Sequence, residues 1–232
     1  MATEERQPVL VFDMDGVLVE VTESYRETIV RTVEHFTGKR IDRDRIQDYK
    51  NRGGWNNDWA LAQKIAADLG VEVDYDTVVE KFQEIFLGPA RDGAGGLIER
   101  ERWLASDGLL ERLGERYRLA IFTGRIREEM EITLRRFAPG IRFDPTICTR
   151  EVPRSKPAPD GLLMIAERTG GAPLYYVGDT VDDSRCARQA GVPFIGIAAP
   201  GNPRREELVS LFREDGAIAV LEDINALENV LP

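Results

Sequence analysis

A short apolar run, PVLVFD over residues 8–13, is the first strong signal in the pattern of hydrophobic and polar positions. Its valine, leucine and phenylalanine residues are typical of a buried parallel strand. The run stops at the polar turn DMDG, and apolar residues then recur at helical spacing as far as about residue 88. This spacing predicts three helices, over about residues 23–37, 57–69 and 76–87.

After about residue 98 the pattern alternates between strand-like and helix-like segments. Apolar runs such as RLAIFTG, LYYVGD and PFIGIA predict strands, and the amphipathic stretches between them predict helices. This alternation is typical of βαβ units, in which helices cover both faces of a parallel sheet. The sequence therefore predicts an α/β fold, with a Rossmann-like doubly wound parallel sheet and a small α-helical cap domain.

The predicted helices interrupt the α/β pattern after its first strand, so the simplest arrangement is a helical insertion in a sheet domain. We expect residues 1–20 and 98–232 to form the α/β core domain, and residues 21–97 to form the helical cap domain. One connection between these domains would lie near residue 20. The other would be the glycine-rich segment RDGAGGL, residues 91–97, which we interpret as a hinge or linker.

The 232-residue chain carries a formal net charge of −10, which repels nucleic acids and anionic membranes. No apolar run approaches the length of a membrane span, and the N-terminal segment MATEERQ lacks the features of a signal peptide. The two cysteines, Cys148 and Cys186, give no disulfide framework. We therefore expect a cytoplasmic protein that binds neither nucleic acid nor membranes, and we leave its oligomeric state open between monomer and homodimer.

The single histidine, His35, excludes several classes of hydrolase. A Ser-His-Asp triad, a multi-histidine zinc site and a histidine nucleophile all need a suitably placed histidine. His35 lies off the apolar stripe of its predicted helix, so we interpret it as a solvated residue. Cys148 and Arg154 have the C-x₅-R spacing of a cysteine phosphatase, but the segment between them has no glycine. It also contains Pro153, which has no N–H to bind phosphate.

Polar residues follow several of the predicted strands at the point where each strand ends. These residues are Asp13, Asp15, Thr123, Gly124, Asp179, Asp182 and Asp183, and Lys156 precedes a nearby helix. In open parallel sheets, ligands bind at the carboxyl ends of the strands. We therefore expect these residues to face one crevice.

Several carboxylates in one crevice repel one another and resist ionisation. A hard divalent cation removes this conflict, and a site made only of oxygen ligands favours Mg²⁺. A lysine and a hydroxyl group beside the metal can hold phosphate oxygens, while one carboxylate acts as a nucleophile and a second transfers protons. This combination is typical of phosphoryl transfer, which needs mainly positioning and charge neutralisation.

Four motifs in this order resemble those of the haloacid dehalogenase superfamily, in the branch whose cap is inserted between the first and second motifs. DMDG at residues 13–16 matches the first motif, Thr123 the second, Lys156 the third and GDTVDD at residues 178–183 the fourth. The match spans nearly the whole chain. This branch includes phosphoglycolate phosphatases and beta-phosphoglucomutases.

The resemblance implies a role for each matching residue. Asp13 is expected to attack phosphorus and to carry the phosphoryl group as an aspartyl-phosphate. Asp15 is expected to protonate the leaving alcohol and then to activate the water that cleaves this intermediate. Thr123, Gly124 and Lys156 are expected to bind the phosphate group.

The resemblance also implies Mg²⁺ as the cofactor. Its expected ligands are Asp13, the backbone carbonyl of Asp15, Asp179 and Asp183, the last either directly or through water. Asp182 is near enough in the sequence to share this work. Alternatively, Asp182 acts only as a helix N-cap, which is a frequent role for an aspartate after a strand.

The function implied by the resemblance is a Mg²⁺-dependent phosphatase that hydrolyses a small-molecule phosphate monoester. A phosphomutase that acts on a sugar phosphate stays open, because it differs in how the cap excludes water. Dehalogenases of the family generally lack the second aspartate, so the presence of Asp15 argues against a dehalogenase. Phosphonate hydrolases have a small residue at that position and a lysine in the cap. Asp15 argues against this activity too, although Lys50 is a candidate for the cap lysine. A signalling receiver domain, which lacks a helical insertion, and a non-catalytic phosphate-binding protein are the remaining alternatives.

The segment KNRGGWNNDWALA, residues 50–62, is the candidate for substrate recognition by the cap. Two glycines break the helical pattern there, and polar residues cluster around the break. We expect Arg52 to contact an anionic or polyhydroxy leaving group, and Asn56 or Asn57 to hydrogen-bond to it. The alternative is a helix N-terminus capped by Asn57 or Asp58, with the tryptophans in the core of the cap.

Overall fold

A parallel sheet of six strands lies at the centre of the structure, a computed structural model that describes residues 6–232. Its strands are β1 (Val9–Phe12), β4 (Arg118–Phe122), β5 (Thr146–Ile147), β6 (Leu174–Gly178), β7 (Phe194–Ile197) and β8 (Ala219–Leu221). Their order across the sheet is β5-β4-β1-β6-β7-β8. The predicted α/β fold with a doubly wound parallel sheet is therefore confirmed. The predicted core domain begins with residues 1–5, which lie outside the described residues.

Helices cover both faces of this sheet, and each face has its own apolar core. The helices are α5 (Leu109–Arg116), α6 (Arg127–Phe137), α7 (Asp160–Arg168), α8 (Val181–Ala190) and α9 (Arg205–Glu214). Leu10 and Phe12 of β1 pack in the core on the side of α5 and α6. Val9 and Val11 pack in the core on the side of α7, α8 and α9. Because both faces of β1 are buried, every residue of this strand is apolar.

Four helices lie between β1 and the remaining strands of the sheet, and we call this unit the helical insert. They are α1 (Tyr25–Thr37), α2 (Arg43–Arg52), α3 (Asp58–Asp68) and α4 (Tyr75–Leu87). The three helices predicted here are present, and α2 is an additional one. The buried residues of α2 are Ile46, Gln47 and Asn51, so it has no apolar stripe from which a helix could be predicted. The division of the chain into core and cap domains stays a prediction.

The two connections to the helical insert run side by side. The chain enters the insert through β2 (Val19–Glu20) and leaves it through β3 (Arg102–Trp103), and these strands pair in antiparallel fashion. A 3₁₀ helix, Leu97–Arg100, precedes β3 and follows the turns of the glycine-rich segment. Two further 3₁₀ helices are Thr149–Glu151 and Ile224–Asn229. Within residues 6–232, no helix has the length and apolar character that a membrane span requires.

Candidate active site

The register of the sheet brings the predicted nucleophile and its partners to one edge. Phe12 of β1 pairs with Ile121 of β4 on one side and with Val177 of β6 on the other. The backbone N–H of Asp13 donates to the carbonyl of Val177 over 2.8 Å, which continues the pairing by one residue. Asp13 therefore leaves the sheet beside the ends of β4 and β6, where Thr123 and Asp179 follow.

Lys156 lies between two carboxylates at this edge. Its Nζ is 3.0 Å from Oδ1 of Asp13 and 2.8 Å from Oδ1 of Asp183. The lysine side chain is 1% exposed, and its Nζ lies 4.9 Å and 5.4 Å from the ring centroids of Phe122 and Tyr176. Such close packing leaves the ammonium group without bulk water, so its charge acts directly on the two carboxylates.

Asp183 is held in place by several donors besides Lys156. Its Oδ1 accepts a hydrogen bond of 2.6 Å from the Tyr176 hydroxyl, and its Oδ2 accepts from both the amide and the hydroxyl of Thr180. Burial alone would raise the pKa of Asp183, but Lys156 and these donors outweigh it and hold the pKa below its usual value. Asp183 is therefore a stable anion.

Asp13 and Asp179 have the opposite shift. Burial, together with the nearby charges of Asp183 and Asp15, raises the pKa of Asp13 to about 7, although Lys156 opposes this. Burial beside Asp183 and Asp13 also raises the pKa of Asp179 well above its usual value. Among the described residues, Oδ1 of Asp179 is buried and has no hydrogen-bond partner.

These carboxylates fit a divalent cation. Asp13, Asp179 and Asp183 each offer an oxygen atom, and these atoms lie within 4.8 Å of one another. An oxygen-only donor set suits Mg²⁺, and a bound cation would remove the conflict that raises two of the three pKa values. The unpartnered oxygen of Asp179 supports the same assignment, because a buried acceptor without a partner is costly.

A tight turn at Gly16 allows Asp179 to approach the first motif. Gly16 has a φ of +71°, and its N–H donates to the carbonyl of Val19 over 2.8 Å. A Cβ at this position would lie 2.0 Å from Oδ2 of Asp179. Both the backbone conformation and the space therefore require glycine.

Asp182, the adjacent aspartate on α8, points elsewhere. Its Oδ1 accepts a hydrogen bond of 2.6 Å from the backbone N–H of Gly54, in the loop between α2 and α3. It is not one of the three clustered carboxylates. The sequence left open whether Asp182 shares the metal site, and the structure places it against the helical insert instead.

Arg125 is a residue of this region that the sequence analysis missed. Its Nε and Nη2 both donate to Oδ1 of Asp15, over 2.9 Å and 2.5 Å. In the sequence, Arg125 stands between a predicted strand and a run of charged residues, and charged residues are usually exposed. Its position directly after the Thr-Gly of the second motif was the one available signal.

Thr123 and Gly124 follow β4 at the floor of the site. Thr123 is fully buried, and its hydroxyl accepts a hydrogen bond of 3.1 Å from the amide of Arg125. Gly124 lines the pocket described below, and Nδ2 of Asn56 lies 2.7 Å from the position that a Gly124 Cβ would occupy. A side chain at residue 124 would therefore displace Asn56 of the helical insert.

The pocket lies between the sheet edge and the helical insert. Asp13, Asp15, Gly124 and Asp179 line it from the sheet, and Arg26, Lys50, Asn56, Asn57, Asp58 and Trp59 line it from the insert. Its free volume is about 50 Å³, far below the ~300–1,000 Å³ of typical small-molecule pockets. The helical insert is thus closed over the site, with Lys50 Nζ 2.7 Å from Oδ1 of Asp58 at its inner surface.

The three residues predicted for substrate recognition have different positions. The side chain of Arg52 is 65% exposed, pairs with Asp48 on its own helix and does not line the pocket. Asn57 caps α3, since its Oδ1 accepts from the amides of Trp59 and Ala60 over 3.0 Å. Asn56 lies in the pocket above Gly124. The expectation that Arg52 contacts the leaving group is corrected, because Arg52 does not line this pocket. The sequence pattern did not predict helix α2, and Arg52 is the last residue of this helix, where its side chain points away from the pocket.

The chain belongs to the haloacid dehalogenase-like hydrolase family, because the model of this family matches residues 10–197. The resemblance inferred from the four motifs is therefore confirmed. The solved structure of a Lactobacillus plantarum protein, provisionally assigned as a phosphoglycolate phosphatase, has the same fold with a TM-score of 0.74. It is 19% identical, and the match covers 97% of this chain and 99% of that one.

Curated relatives differ in length and in name. The chain is 32% identical over 199 residues to an imidazoleglycerol-phosphate dehydratase from Phytophthora nicotianae, a match that covers 82% of this chain and 43% of that protein. It is 23% identical over 204 residues to pyrophosphatase PpaX from Bacillus velezensis, covering 84% of this chain and 85% of that protein. The chain thus spans less than half of the first relative and most of the second.

Proposed function

We propose that the protein is a Mg²⁺-dependent phosphatase that hydrolyses a small-molecule phosphate monoester through an aspartyl-phosphate on Asp13. The observation that carries this proposal is the position of Lys156, which bridges Asp13 and Asp183 at a buried sheet edge. A cation beside the nucleophile lowers the repulsion between a carboxylate and a phosphate dianion. The pyrophosphatase relative, which matches along most of its length, supports the same class of reaction.

The reaction would have two steps. In the first, an oxygen of Asp13 forms a bond to phosphorus, the bond to the leaving oxygen breaks, and Asp15 gives that oxygen a proton. In the second, Asp15 takes a proton from water as the water oxygen attacks phosphorus, which releases phosphate and restores the Asp13 carboxylate. Thr123, the Gly124 amide and Lys156 would hold the phosphate oxygens in both steps.

The residues proposed to hold Mg²⁺ are Asp13, Asp179 and Asp183, with the backbone carbonyl of Asp15. When bound, the cation would supply positive charge that balances the phosphate group and the clustered carboxylates. Asp183, whose pKa is lowered, would also keep Lys156 in position.

The helical insert is proposed to act as a cap that selects the leaving group. The small volume of the closed pocket supports a compact substrate, and Arg26 and Lys50 offer positive charge on its inner surface. Asn56 adds a hydrogen-bonding group above Gly124. We therefore propose a leaving group that is small and carries hydroxyl or anionic groups. The insert would open to admit it and close to exclude water.

The test is a panel of phosphate esters assayed for phosphate release with and without Mg²⁺. The panel includes phosphoglycolate, pyrophosphate, imidazoleglycerol phosphate and several sugar phosphates. Asp13→Asn should abolish release and prevent trapping of a phosphoenzyme, whereas Asp107→Asn, the same change at an exposed residue, should leave turnover unchanged. Release that survives Asp13→Asn would contradict the proposal. Conversion of a sugar phosphate to its isomer without release of phosphate would identify a mutase instead.

A further inference from the structure

A fully buried arginine contacts the predicted acid–base residue. The Arg125 side chain is 0% exposed, and besides its two bonds to Asp15 it donates to Oε1 of Glu101 over 2.6 Å and to Thr133 Oγ1 over 2.7 Å. The Thr133 hydroxyl in turn donates to Oε2 of Glu101 over 2.7 Å. The guanidinium is therefore fixed in one plane by partners on three sides.

Stability alone does not account for this arrangement. Burying an arginine with one carboxylate would already balance its charge, and exchanging a whole buried ion pair for apolar residues of similar volume is often neutral for stability. Glu101 is 2% exposed and serves as that balancing carboxylate. The second carboxylate, Asp15, lies at the edge of the pocket, with a side chain that is 26% exposed. Arg125 thus links the buried Glu101 carboxylate to the Asp15 carboxylate, which lines the pocket.

The helical insert forms the opposite wall of the same cluster. The ring centroid of Tyr25 on α1 lies 5.0 Å from Cζ of Arg125, and that of Phe86 on α4 lies 5.9 Å away. The Tyr25 hydroxyl donates a hydrogen bond to Glu129 of α6, and Nε2 of Gln83 on α4 donates to the same carboxylate over 2.6 Å. Arg125 is therefore packed between the sheet domain and the insert.

We propose that Arg125 is a positioning residue that holds the Asp15 carboxylate in its working orientation, within a cluster closed by Tyr25 and Phe86 of the helical insert. This inference rests on the proposed function, because it assigns a task to Arg125 through the proton transfers of Asp15. Arg125 would not itself touch the substrate, since it does not line the pocket.

If Arg125 positions Asp15, the effect of losing Arg125 on the reaction rate should depend on the leaving group. An alkyl phosphate needs a proton from Asp15 as its alcohol departs, whereas p-nitrophenolate leaves without one. Cleavage of the aspartyl-phosphate needs Asp15 for every substrate. Loss of Arg125 should therefore slow both steps for an alkyl ester, but only the second step for p-nitrophenyl phosphate.

The experiment compares wild type, Arg125→Lys, Arg125→Met, Asp15→Asn and the double variant Arg125→Lys/Asp15→Asn. The lysine variant keeps a buried cation beside Glu101, so it preserves the fold if the methionine variant does not. Arg127→Met is the matched control, because Arg127 lies two residues away and pairs with Glu151 outside the cluster. Melting temperature is recorded for each variant.

We expect Arg125→Lys to lower kcat for an alkyl phosphate at least ~10-fold, with KM changed less than ~3-fold, as for loss of proton transfer. With p-nitrophenyl phosphate it should release a burst of about one nitrophenolate per enzyme before a slow steady state. In the Asp15→Asn background the same change should cost less than ~2-fold, because residues that act as a unit are not additive.

Equal slowing of both substrates without a burst, or an undiminished effect in the Asp15→Asn background, would show that Arg125 acts by packing alone and would overturn the inference. An Arg125→Lys variant with wild-type kinetics would overturn it too. In all these cases wild type remains active, so the proposed function stands. A wild-type protein that hydrolyses no ester would instead remove both proposals.

Discussion

The Asp182 carboxylate accepts a 2.6 Å hydrogen bond from the backbone amide of Gly54, and so links helix α8 to the loop between α2 and α3. A second link is close by, since Nη1 of Arg185 donates to the carbonyl of Arg52 over 3.2 Å. The next residue, Asp183, faces Lys156 instead. Two adjacent aspartates thus serve different surfaces, since Asp182 faces the helical insert and Asp183 faces the carboxylate cluster with Asp13 and Asp179.

Replacing each aspartate by alanine should separate these two tasks. Asp182→Ala should leave Mg²⁺ affinity unchanged and raise KM roughly 10-fold, because a hydrogen bond to a charged group is worth about 1.5–3 kcal/mol. Asp183→Ala should lower Mg²⁺ affinity at least ~10-fold, since it removes a proposed ligand and the partner of Lys156. Calorimetric Mg²⁺ titration and steady-state kinetics measure the two effects. Weakened metal binding in Asp182→Ala would contradict the separation.

Gly16→Ala should disturb the site through Asp179. Alanine at a positive φ costs about 1 kcal/mol, and the added methyl must also displace Asp179, so the total loss of stability should exceed that value. Mg²⁺ affinity should fall with it. Gly38→Ala is the control: its φ is +68° and nothing lies within 4 Å of its Cβ position. Urea unfolding and Mg²⁺ titration should show a similar backbone cost there but unchanged metal binding.

Mg²⁺ should stabilise the protein more at high pH than at low pH. The pKa of Asp13 is about 7 in the folded protein and 3.8 in the unfolded chain. In the metal-free protein, the stabilising contribution of the protonated carboxyl group is therefore present at low pH and is lost as the pH rises through about 7. Mg²⁺ requires the ionised carboxylate, so its affinity should rise over the same range. The increase in melting temperature caused by Mg²⁺ should therefore be larger at about pH 8 than at about pH 5.

Asp13→Asn provides the control for this pH dependence. It removes the titrating carboxylate, so the fall in stability of the metal-free protein between about pH 5 and pH 8 should become shallower. Thermal scans in chelator and in Mg²⁺ give both slopes. An Mg²⁺-induced shift that is largest at low pH would contradict the assignment of Asp13 as a ligand.

Lys50 and Arg52 allow a direct test of the leaving-group site. Lys50→Met removes the lysine that lines the pocket and should raise KM about 10-fold or more for an anionic or hydroxylated substrate, the effect of losing one charged contact. Arg52→Met changes an exposed residue two positions away, and its KM should stay within about 2-fold of wild type. Kinetics on the best substrate of the panel measure both. The reverse order of effects would restore Arg52 as the recognition residue.

The sheet and the edge that carries the motifs were predictable because each signal is local. The apolar run of β1 ends at Asp13, and the run of β6 ends just before Asp179, so the strand ends themselves marked the site. A parallel sheet then places such ends along the same edge whatever the connecting segments are. The order of the strands then brings Asp13, Thr123 and Asp179 close together, because β4 and β6 are the two neighbours of β1.

Other features depend on contacts that no local pattern encodes. Helix α2 buries mainly polar residues, such as Gln47 and Asn51, so its hydrophobic pattern is weak. Strands β2 and β3 have two residues each, which is too short for a period-two signal. Arg125 and Glu101 are fully buried although charged residues are usually exposed, and only their pairing in space makes that possible.

The central place of β1 in the sheet has a consequence for synthesis of the chain. The strands on its two sides are residues 118–122 and 174–178, so β1 emerges from the ribosome long before either partner exists. Until then, β1 is an apolar segment of the growing polypeptide with both of its edges unpaired, and such segments are prone to aggregation. The sheet edge that carries Asp13, Thr123 and Asp179 therefore cannot assemble until β6 has been synthesised.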